Sequence, residues 1–285
     1  MLLGGAGIDS DVLHQSDCVM SDWQPELYNR FRRYRAEPFE HIAERLPITA
    51  NDTIADLGCG SGDNTVELAR RLEGGRACGI DLSPAMIAAA EKLRAGLPDD
   101  LRARLSFAVG NIAQLNEANA YSIIFSNAAL QWLRDHREVL SRWFRALRPG
   151  GAMVVQMPAN ESETAKMELS EMVLEPRWAA MLGPVGRPFS EVPPQDYYRR
   201  IMGEIGFAEI DCYYRTFHHP MNSPAEVVQW YRSTGLRPFL DALPAERHEE
   251  FLNEYNARLE RGYGTSGALI FDFKRLFLWG RRPAA

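Results

Sequence analysis

Short apolar runs alternate with amphipathic stretches over the middle of the chain. Runs typical of buried strands occur at 52–58, 75–81, 104–111, 121–127 and 152–158. Helical spacing of the apolar residues separates them, at 63–72, 83–93 and 136–147. This alternation predicts a parallel sheet with helices on both faces. In such sheets, ligands bind at the carboxyl ends of the strands.

The pattern changes on both sides of this region. Before it, residues 25–46 have helical spacing that Pro38 interrupts. After it, helical stretches at 160–182, 195–205, 224–233 and 244–262 accompany strands at 208–219 and 274–282. We therefore expect two further strands and a set of added helices.

Composition narrows the class of protein. The chain has 285 residues and a net charge of −6, which disfavours nucleic acid as the main partner because phosphate binding usually leaves a basic footprint. No apolar stretch reaches membrane-spanning length, and residues 1–19 do not resemble a signal peptide, so we expect a cytoplasmic protein with a disordered leader over 1–19. The four cysteines fit no zinc pattern, which predicts reduced thiols and no metal. The oligomeric state is open, and a monomer is compatible with the sequence.

A glycine-rich segment, DLGCGSGDNT (56–65), joins the first predicted strand to the first helix. A Walker A loop is excluded because Asp63 and Asn64 follow the last glycine where Lys and Ser or Thr are needed. A nucleophile elbow is excluded because Ser61 has no glycine two residues before or after it. A dinucleotide loop is closer, but Asp56 would repel a pyrophosphate and favours a cationic ligand.

Two more polar residues end the next two predicted strands. Asp81 ends the second strand, where an acid can bind both hydroxyls of a ribose. Asn111 ends the third and can bond an adenine amino group. The set predicts a ligand with an ammonium group, a ribose and a base but no phosphate, and S-adenosylmethionine has these parts.

Three motifs in this order, ADLGCGSGDNT, GIDLSPAMI and SNAALQWL, resemble the class I S-adenosylmethionine-dependent methyltransferases. The resemblance implies a Rossmann-like, seven-stranded, mostly parallel α/β sheet with a mainly helical cap over the strand ends. The cofactor residues that it implies are Asp56, Gly58, Cys59, Gly60, Asp81, Leu82, Met86, Asn111, Ile112, Asn127 and Ala128. Many members of the class have Asp where this chain has Asn111, so the hydrogen bonds to adenine must differ. For Met86 and Ile112, simple core packing is an alternative.

The flanking segments resemble a carboxyl O-methyltransferase family of this class. They are MSDWQPELYNRF (20–31), VVQMPAN (154–160), TGLRPFL (234–240) and RLFLWGRR (275–282). This resemblance implies esterification of a small polycarboxylic acid, trans-aconitate. Candidate acceptor residues are Trp23, Tyr28, Arg35, Trp132, Gln156 and Arg237, since arginine forks suit carboxylates and aromatic rings exclude water. Surface ion pairs are the alternative for the two arginines.

The mechanism implied by a carboxylate acceptor is simple. A carboxylate is ionised at neutral pH, so in-line transfer needs no general base, and His136, His218 and His219 are not assigned a catalytic role.

The expected organisation is a cofactor-binding core with a helical lid over 20–160, followed by 161–285 with cap insertions at about 160–205 and 222–265. Alternatives are another acceptor (a fatty or terpenoid acid, an amine or a phenol) and a non-catalytic cofactor-binding protein.

Overall fold

The computed structural model describes residues 31–186, 192–232 and 235–284. Seven strands form one sheet in the order β3-β2-β1-β4-β5-β7-β6. The strands are β1 Thr53–Leu57, β2 Arg76–Asp81, β3 Leu105–Val109, β4 Tyr121–Asn127, β5 Leu147–Pro158, β6 Ala208–Met221 and β7 Leu269–Arg281. The first five pair in parallel, and β7 runs antiparallel to both of its neighbours. The predicted seven-stranded, mostly parallel sheet is confirmed.

The helices of the described residues lie before β1 and between the strands. They are α1 Arg32–Ala43, α2 Asp63–Arg70, α3 Pro84–Ala95, α4 Asp99–Arg102, α5 His136–Ala146, α6 Thr164–Leu174, α7 Pro176–Leu182, α8 Gln195–Ile205, α9 Pro224–Arg232, α10 Arg237–Ala242 and α11 His248–Tyr263. Local sequence explains their starts: Ser83, for example, accepts a hydrogen bond from the backbone of Met86, and Pro84 occupies the first turn of α3.

Alternate strand residues pack on opposite faces of the sheet, as the period of a strand requires. On one face, Phe277 of β7 packs in a core with residues of α1 and α2. On the other face, Leu276 and Leu278 pack in a core with α5 and α8. Helices therefore cover both faces, as predicted.

A third core lies beyond the carboxyl edge of the parallel strands. The last pair between β5 and β7 is Pro158 with Arg275, whereas β6 and β7 continue to pair as far as Met221 and Leu269. We call this projecting part, residues 216–221 and 269–274, the β6–β7 extension. Helices α6, α7, α9, α10 and α11 pack on it and form the cap. The extension thus holds the cap over the edge where ligands bind in such sheets.

Three local predictions need correction. The helix at the start does not break at Pro38: α1 continues through it, and Phe39 and Ile42 beyond it pack on the sheet. The stretch 195–205, assigned to the cap, is α8, which packs against the sheet through Tyr198. Arg237 falls between the helical stretches expected at 224–233 and 244–262, but it is the first residue of a further helix, α10, because Pro238 suits a first helical turn.

Candidate functional site

The glycine segment after β1 forms a tight turn against β2. The backbone N–H groups of Gly58 and Cys59 donate to the carbonyl of Ile80, at 2.8 and 3.2 Å. Gly58, Gly60 and Gly62 all have a positive φ, +80°, +55° and +84°, which favours glycine. The sequence pattern therefore reflects a conformation that the chain requires.

The space around Gly58 differs from that around Gly60. A Cβ atom on Gly58 would lie 2.2 Å from the Cβ of Ala129, so this glycine lets the turn approach the residues after β4. A Cβ atom on Gly60 would meet no atom within 4 Å. The turn consequently packs tightly on one side and presents bare backbone to open space at Gly60.

Asp56 lies near the end of β1 and is only 1% exposed. The hydroxyl of Thr65 in α2 donates a hydrogen bond of 2.6 Å to its Oδ2 atom. Burial raises the pKa of the Asp56 carboxyl to about 7, although the bond from Thr65 opposes this rise. The protonation state of Asp56 therefore changes near neutral pH, which the sequence did not indicate.

Asp81 connects the ends of β1 and β2. Its Oδ2 atom accepts from the N–H of Gly60, and its Oδ1 atom accepts from the N–H of Ser83, both at 2.9 Å. Leu82 beside it is 66% exposed, and Met86 is half-buried. The carboxylate is thus oriented by two backbone donors at the edge of the open space.

Asn111 follows β3, two residues after the partner of Asp81 in the β2–β3 ladder. The residue is exposed, and its Oδ1 atom accepts from the N–H of Ala113 at 2.9 Å, so its amide group caps a short helical turn. Ile112 is buried, and its carbonyl accepts from the indole of Trp143. Asn111 is therefore positioned by its own turn with its amide N–H group left for other partners.

Two amide side chains, the half-buried Asn127 and the fully buried Gln156, lie side by side at the ends of β4 and β5. Asn127 pairs with Gln156 in the parallel ladder, which places their side chains on the same face of the sheet. Gln156 is completely buried, and neither its Oε1 nor its Nε2 atom has a hydrogen-bond partner; the Oδ1 atom of Asn127 has none either. Ala128 follows with φ +57° and donates its N–H to the carbonyl of Gln156 at 2.8 Å. This strained turn holds the two strand ends together.

The other predicted acceptor residues lie in several different parts of the chain. Trp132 ends a short helical turn after β4 and is 64% exposed. Arg237 is partly buried in the cap. Arg35 belongs to α1, but its side chain lies outside the described structure, as do Trp23 and Tyr28 entirely.

Sequence reasoning missed two buried polar residues on the β6 and β7 strands. His219 is fully buried between the rings of Tyr34 and Trp230, with ring centroids 4.6 and 5.3 Å away. Burial lowers its pKa to about 4, so the ring is neutral at pH 7. Arg275 is 7% exposed and lies with its guanidinium carbon 4.1 Å from the Phe273 ring centroid. A charged residue within the apolar run KRLFLW was the available signal.

The other two histidines considered in the sequence analysis, His136 and His218, have hydrogen-bond or ion-pair partners within the protein. His136 bonds to the hydroxyl of Tyr198 at 2.7 Å and to the carbonyl of Leu133 at 3.2 Å, in the core on the opposite face. His218 is largely exposed and pairs with Asp272 at 2.6 Å. Within the ranges described, no cluster of three or more metal-ligating side chains occurs, and no helix is long and apolar enough to cross a membrane.

Solved structures share this fold. The YcgJ protein from Bacillus subtilis aligns with a TM-score of 0.58 at 13% identity, covering 87% of this chain and 99% of that one. A phosphoethanolamine N-methyltransferase 2 from Haemonchus contortus, in complex with S-adenosylhomocysteine, aligns with a TM-score of 0.57 at 20% identity, covering 87% and 52%. At these identities the likeness concerns the fold.

Sequence comparison is more specific. A family model described as a methyltransferase domain matches residues 54–151. A trans-aconitate 2-methyltransferase from Methylobacterium radiotolerans is 37% identical over 270 residues, which cover 93% of this chain and 100% of that protein. The Escherichia coli protein of the same name is 37% identical over 266 residues, covering 92% and 99%. Identity of this extent over nearly the whole chain shows that it belongs to the trans-aconitate 2-methyltransferase family, within the class I S-adenosylmethionine-dependent methyltransferases.

Proposed function

We propose that this S-adenosylmethionine-dependent methyltransferase esterifies one carboxylate of a small polycarboxylic acid, and that trans-aconitate is its acceptor. The observation that carries the proposal is the pair of amides, Asn127 and Gln156, whose buried Oδ1, Oε1 and Nε2 atoms have no hydrogen-bond partner at the carboxyl edge of the sheet. Buried polar groups rarely lack partners, so these atoms indicate a polar ligand. The names of the relatives support trans-aconitate as that ligand.

The residues around the glycine turn fit the cofactor. S-adenosylmethionine supplies an electrophilic methyl group on a positively charged sulfur. Open space at Gly60 admits a ligand close to the backbone. The Asp81 carboxylate, which accepts from the N–H of Gly60, and the buried Asp56 carboxyl group near the end of β1 suit a cationic, hydroxylated molecule. We assign the ribose to Asp81 and the ammonium end to the side of Asp56.

The adenine end has a distinct hydrogen-bond pattern in this chain. We place Leu82, Met86 and Ile112 around the base and Asn111 at its edge. Because the Oδ1 atom of Asn111 already accepts from Ala113, its amide N–H group is the part left for the base. We infer that Asn111 donates to a ring nitrogen, where an Asp would accept from the adenine amino group. Asn127 and Ala128 complete the site on the methyl side.

The acceptor carboxylate must be aligned with the methyl group, but it does not have to be deprotonated first. A carboxylate with an ordinary pKa near 4 is already a nucleophile at neutral pH and has no proton to lose. Gln156 can donate its amide N–H to one carboxylate oxygen and thereby point the other toward the methyl group. Holding the two reactants in line and excluding water would then supply much of the rate. Arg35, Arg237, Trp23, Tyr28 and Trp132 stay candidates for the rest of the acceptor pocket.

One observation favours a different acceptor. The Nδ1 atom of His219 lies 3.9 Å from the Oε2 atom of Glu37, and a carboxylate beside an imidazole is an arrangement that deprotonates an amine or a phenol. However, His219 lies on the β6–β7 extension, six positions along β6 from Tyr213, which is level with Phe277 and Gln156. His219 and Glu37 therefore lie far from the strand ends where the methyl group is expected.

The test of the proposed function is methyl transfer from labelled S-adenosylmethionine to a panel of acceptors. We expect a base-labile ester from trans-aconitate, and far less product from a fatty acid, an amine or a phenol of similar size. Efficient methylation of the amine or phenol without turnover of any acid would overturn the proposal. Cofactor binding without methylation of any acceptor in the panel would favour a binding protein.

Two glycine substitutions should separate cofactor access from folding. Gly60→Ala has room for its methyl group and should cost only about 1 kcal/mol of stability for its positive φ, but it should weaken S-adenosylhomocysteine binding at least about tenfold. Gly58→Ala clashes with Ala129 and should lower the melting temperature much more. Calorimetry and thermal unfolding measure both. Equal affinity in Gly60→Ala and the wild type would show that the cofactor does not approach this turn.

A further inference from the structure

A third amide side chain, that of Gln131, lies in the short helical turn after β4. Its Nε2 atom donates a hydrogen bond of 2.7 Å to the carbonyl of Ala128. A carbonyl oxygen can only accept, so this bond fixes which end of the Gln131 amide faces Ala128. The other end, the Oε1 atom, is buried and has no hydrogen-bond partner among the described residues. A buried acceptor of this kind indicates a ligand that meets it.

The turn at Ala128 brings this amide close to the two described above. The N–H of Ala128 donates to the backbone carbonyl of Gln156, and the carbonyl of Ala128 accepts from Gln131. Within one amide group the nitrogen and oxygen are about 2.3 Å apart, so the Oε1 atom of Gln131 lies within about 5 Å of the Ala128 carbonyl oxygen. Asn127, which pairs with Gln156, is the residue before Ala128. The three amides therefore surround one turn.

The same turn contacts the glycine segment where the cofactor is expected. A Cβ atom on Gly58 would lie 2.2 Å from the Cβ of Ala129, so Ala129 packs directly on the backbone of that segment. On its other side, Ala128 bonds to Gln156, where we place the acceptor carboxylate. Gln131 is thus fixed to the turn that separates the two reactants. The group that passes between them is the methyl group on the sulfur of the cofactor.

The cofactor and its product differ only at this sulfur. S-adenosylmethionine has a methyl group and a positive charge there, whereas the sulfur of S-adenosylhomocysteine is a neutral thioether. A buried amide oxygen beside the sulfur attracts the charged form, and it has no comparable attraction to the neutral form. An amide oxygen is also a weaker nucleophile than a carboxylate, so it would not compete with the acceptor for the methyl group.

We propose that the Oε1 atom of Gln131 faces the positively charged, methyl-bearing sulfur, so that Gln131 makes the protein bind S-adenosylmethionine in preference to S-adenosylhomocysteine. The inference rests on the proposed function only for the place of the acceptor carboxylate beside Gln156. The preference helps the product to leave after each transfer and limits inhibition by that product. Gln131 is then a specificity-determining residue for the cofactor.

Gln131→Met is the first test, because methionine keeps the length of the side chain and removes both polar atoms. Calorimetry without any acceptor should show that the Kd for S-adenosylmethionine rises about fivefold, while the Kd for S-adenosylhomocysteine changes by less than about twofold. Gln131→Asn keeps an amide that is too short to bond to Ala128 and reach the sulfur together, so it should show the same selective loss.

Asn256→Leu is the matched control. The Nδ2 atom of Asn256 also has a nearby partner, the Oε1 atom of Glu260 at 3.0 Å, and its buried Oδ1 atom has no partner in the described part of the chain. This amide lies on α11 in the cap and not at the turn after β4. The Asn256→Leu variant should therefore bind both forms of the cofactor as the wild type does.

The outcomes separate this inference from the proposed function. If both variants of Gln131 weaken the two forms by the same factor, Gln131 acts by shaping the turn and the inference is wrong. If neither affinity changes, the Oε1 atom meets ordered water instead of the cofactor, and the inference is wrong as well. A wild type that methylates no polycarboxylic acid would overturn the proposed function alone, because the binding measurements contain no acceptor.

Discussion

Replacing Asp81 with alanine should weaken binding of S-adenosylhomocysteine by about 100-fold or more, as measured by calorimetry. The carboxylate of Asp81 is held by the N–H groups of Gly60 and Ser83, and each oxygen retains a lone pair for a ribose hydroxyl. A hydrogen bond to a charged group contributes about 1.5–3 kcal/mol, so the loss of two such bonds accounts for the expected factor.

The same substitution also removes two hydrogen bonds that shape the glycine turn, so a second ligand is needed. A cofactor analogue without the 2′ and 3′ hydroxyls completes a double-mutant cycle. We expect this analogue to bind the wild type and Asp81→Ala with similar, low affinity. If Asp81→Ala instead weakened both ligands by the same factor, Asp81 would act by shaping the turn and not by binding the ribose.

The sheet and the cofactor edge could be predicted because their signals are local. The run 121–127 is β4 with the same bounds, and 195–205 is α8, since each combines a continuous periodic pattern with flanking turn or capping residues. The glycines of the turn have a positive φ, a conformation that favours glycine and is therefore visible in the sequence. Asp81 and Asn111 meet at one edge because they follow strands that pair in parallel.

The acceptor side could not be predicted in this way because it depends on contacts that are distant in sequence. Asn127 and Gln156 become neighbours only through the order of β4 and β5 in the sheet. His219 becomes buried only because β6 and β7 continue to pair beyond β5, and because α1 and α9 close over the extension. Nothing in the residues near His219 in the sequence specifies this register. The length of the extension is therefore the feature that sequence reasoning missed.

Replacing Asp56 with asparagine should stabilise the protein at alkaline pH in the absence of cofactor. The folded-state pKa of Asp56 is raised to about 7, against about 4 for an unfolded aspartate. Between these values the folded state binds more protons, so the free energy of unfolding falls as pH rises from about 4 to about 7. The full effect is about 4 kcal/mol at most, and Asp56→Asn should remove it.

Urea unfolding at pH 5 and pH 8 measures this difference. At pH 5 the folded Asp56 is still protonated and only the unfolded side chain has ionised, so Asp56→Asn should be more stable by only about 1 kcal/mol, whereas at pH 8 it should be more stable by about 2–4 kcal/mol. Glu163 has its pKa raised to about 7 as well, but it is present in both proteins and cancels in the comparison. Thr65→Val is the control, because it removes the bond that favours the ionised form and should move the wild-type slope to higher pH.

Asp56→Asn should also bind the cofactor more weakly than the wild type, because an ionised Asp56 near the turn can pair with the ammonium group of the cofactor. At pH 6 the wild type should release a fraction of a proton when S-adenosylhomocysteine binds, and Asp56→Asn should release less and bind more weakly. Calorimetry in buffers with different ionisation enthalpies measures this proton release. Equal slopes of stability against pH in the wild type and Asp56→Asn would show that Asp56 is already ionised in the folded protein. Burial would then not set its charge, and the link between stability and cofactor binding would be absent.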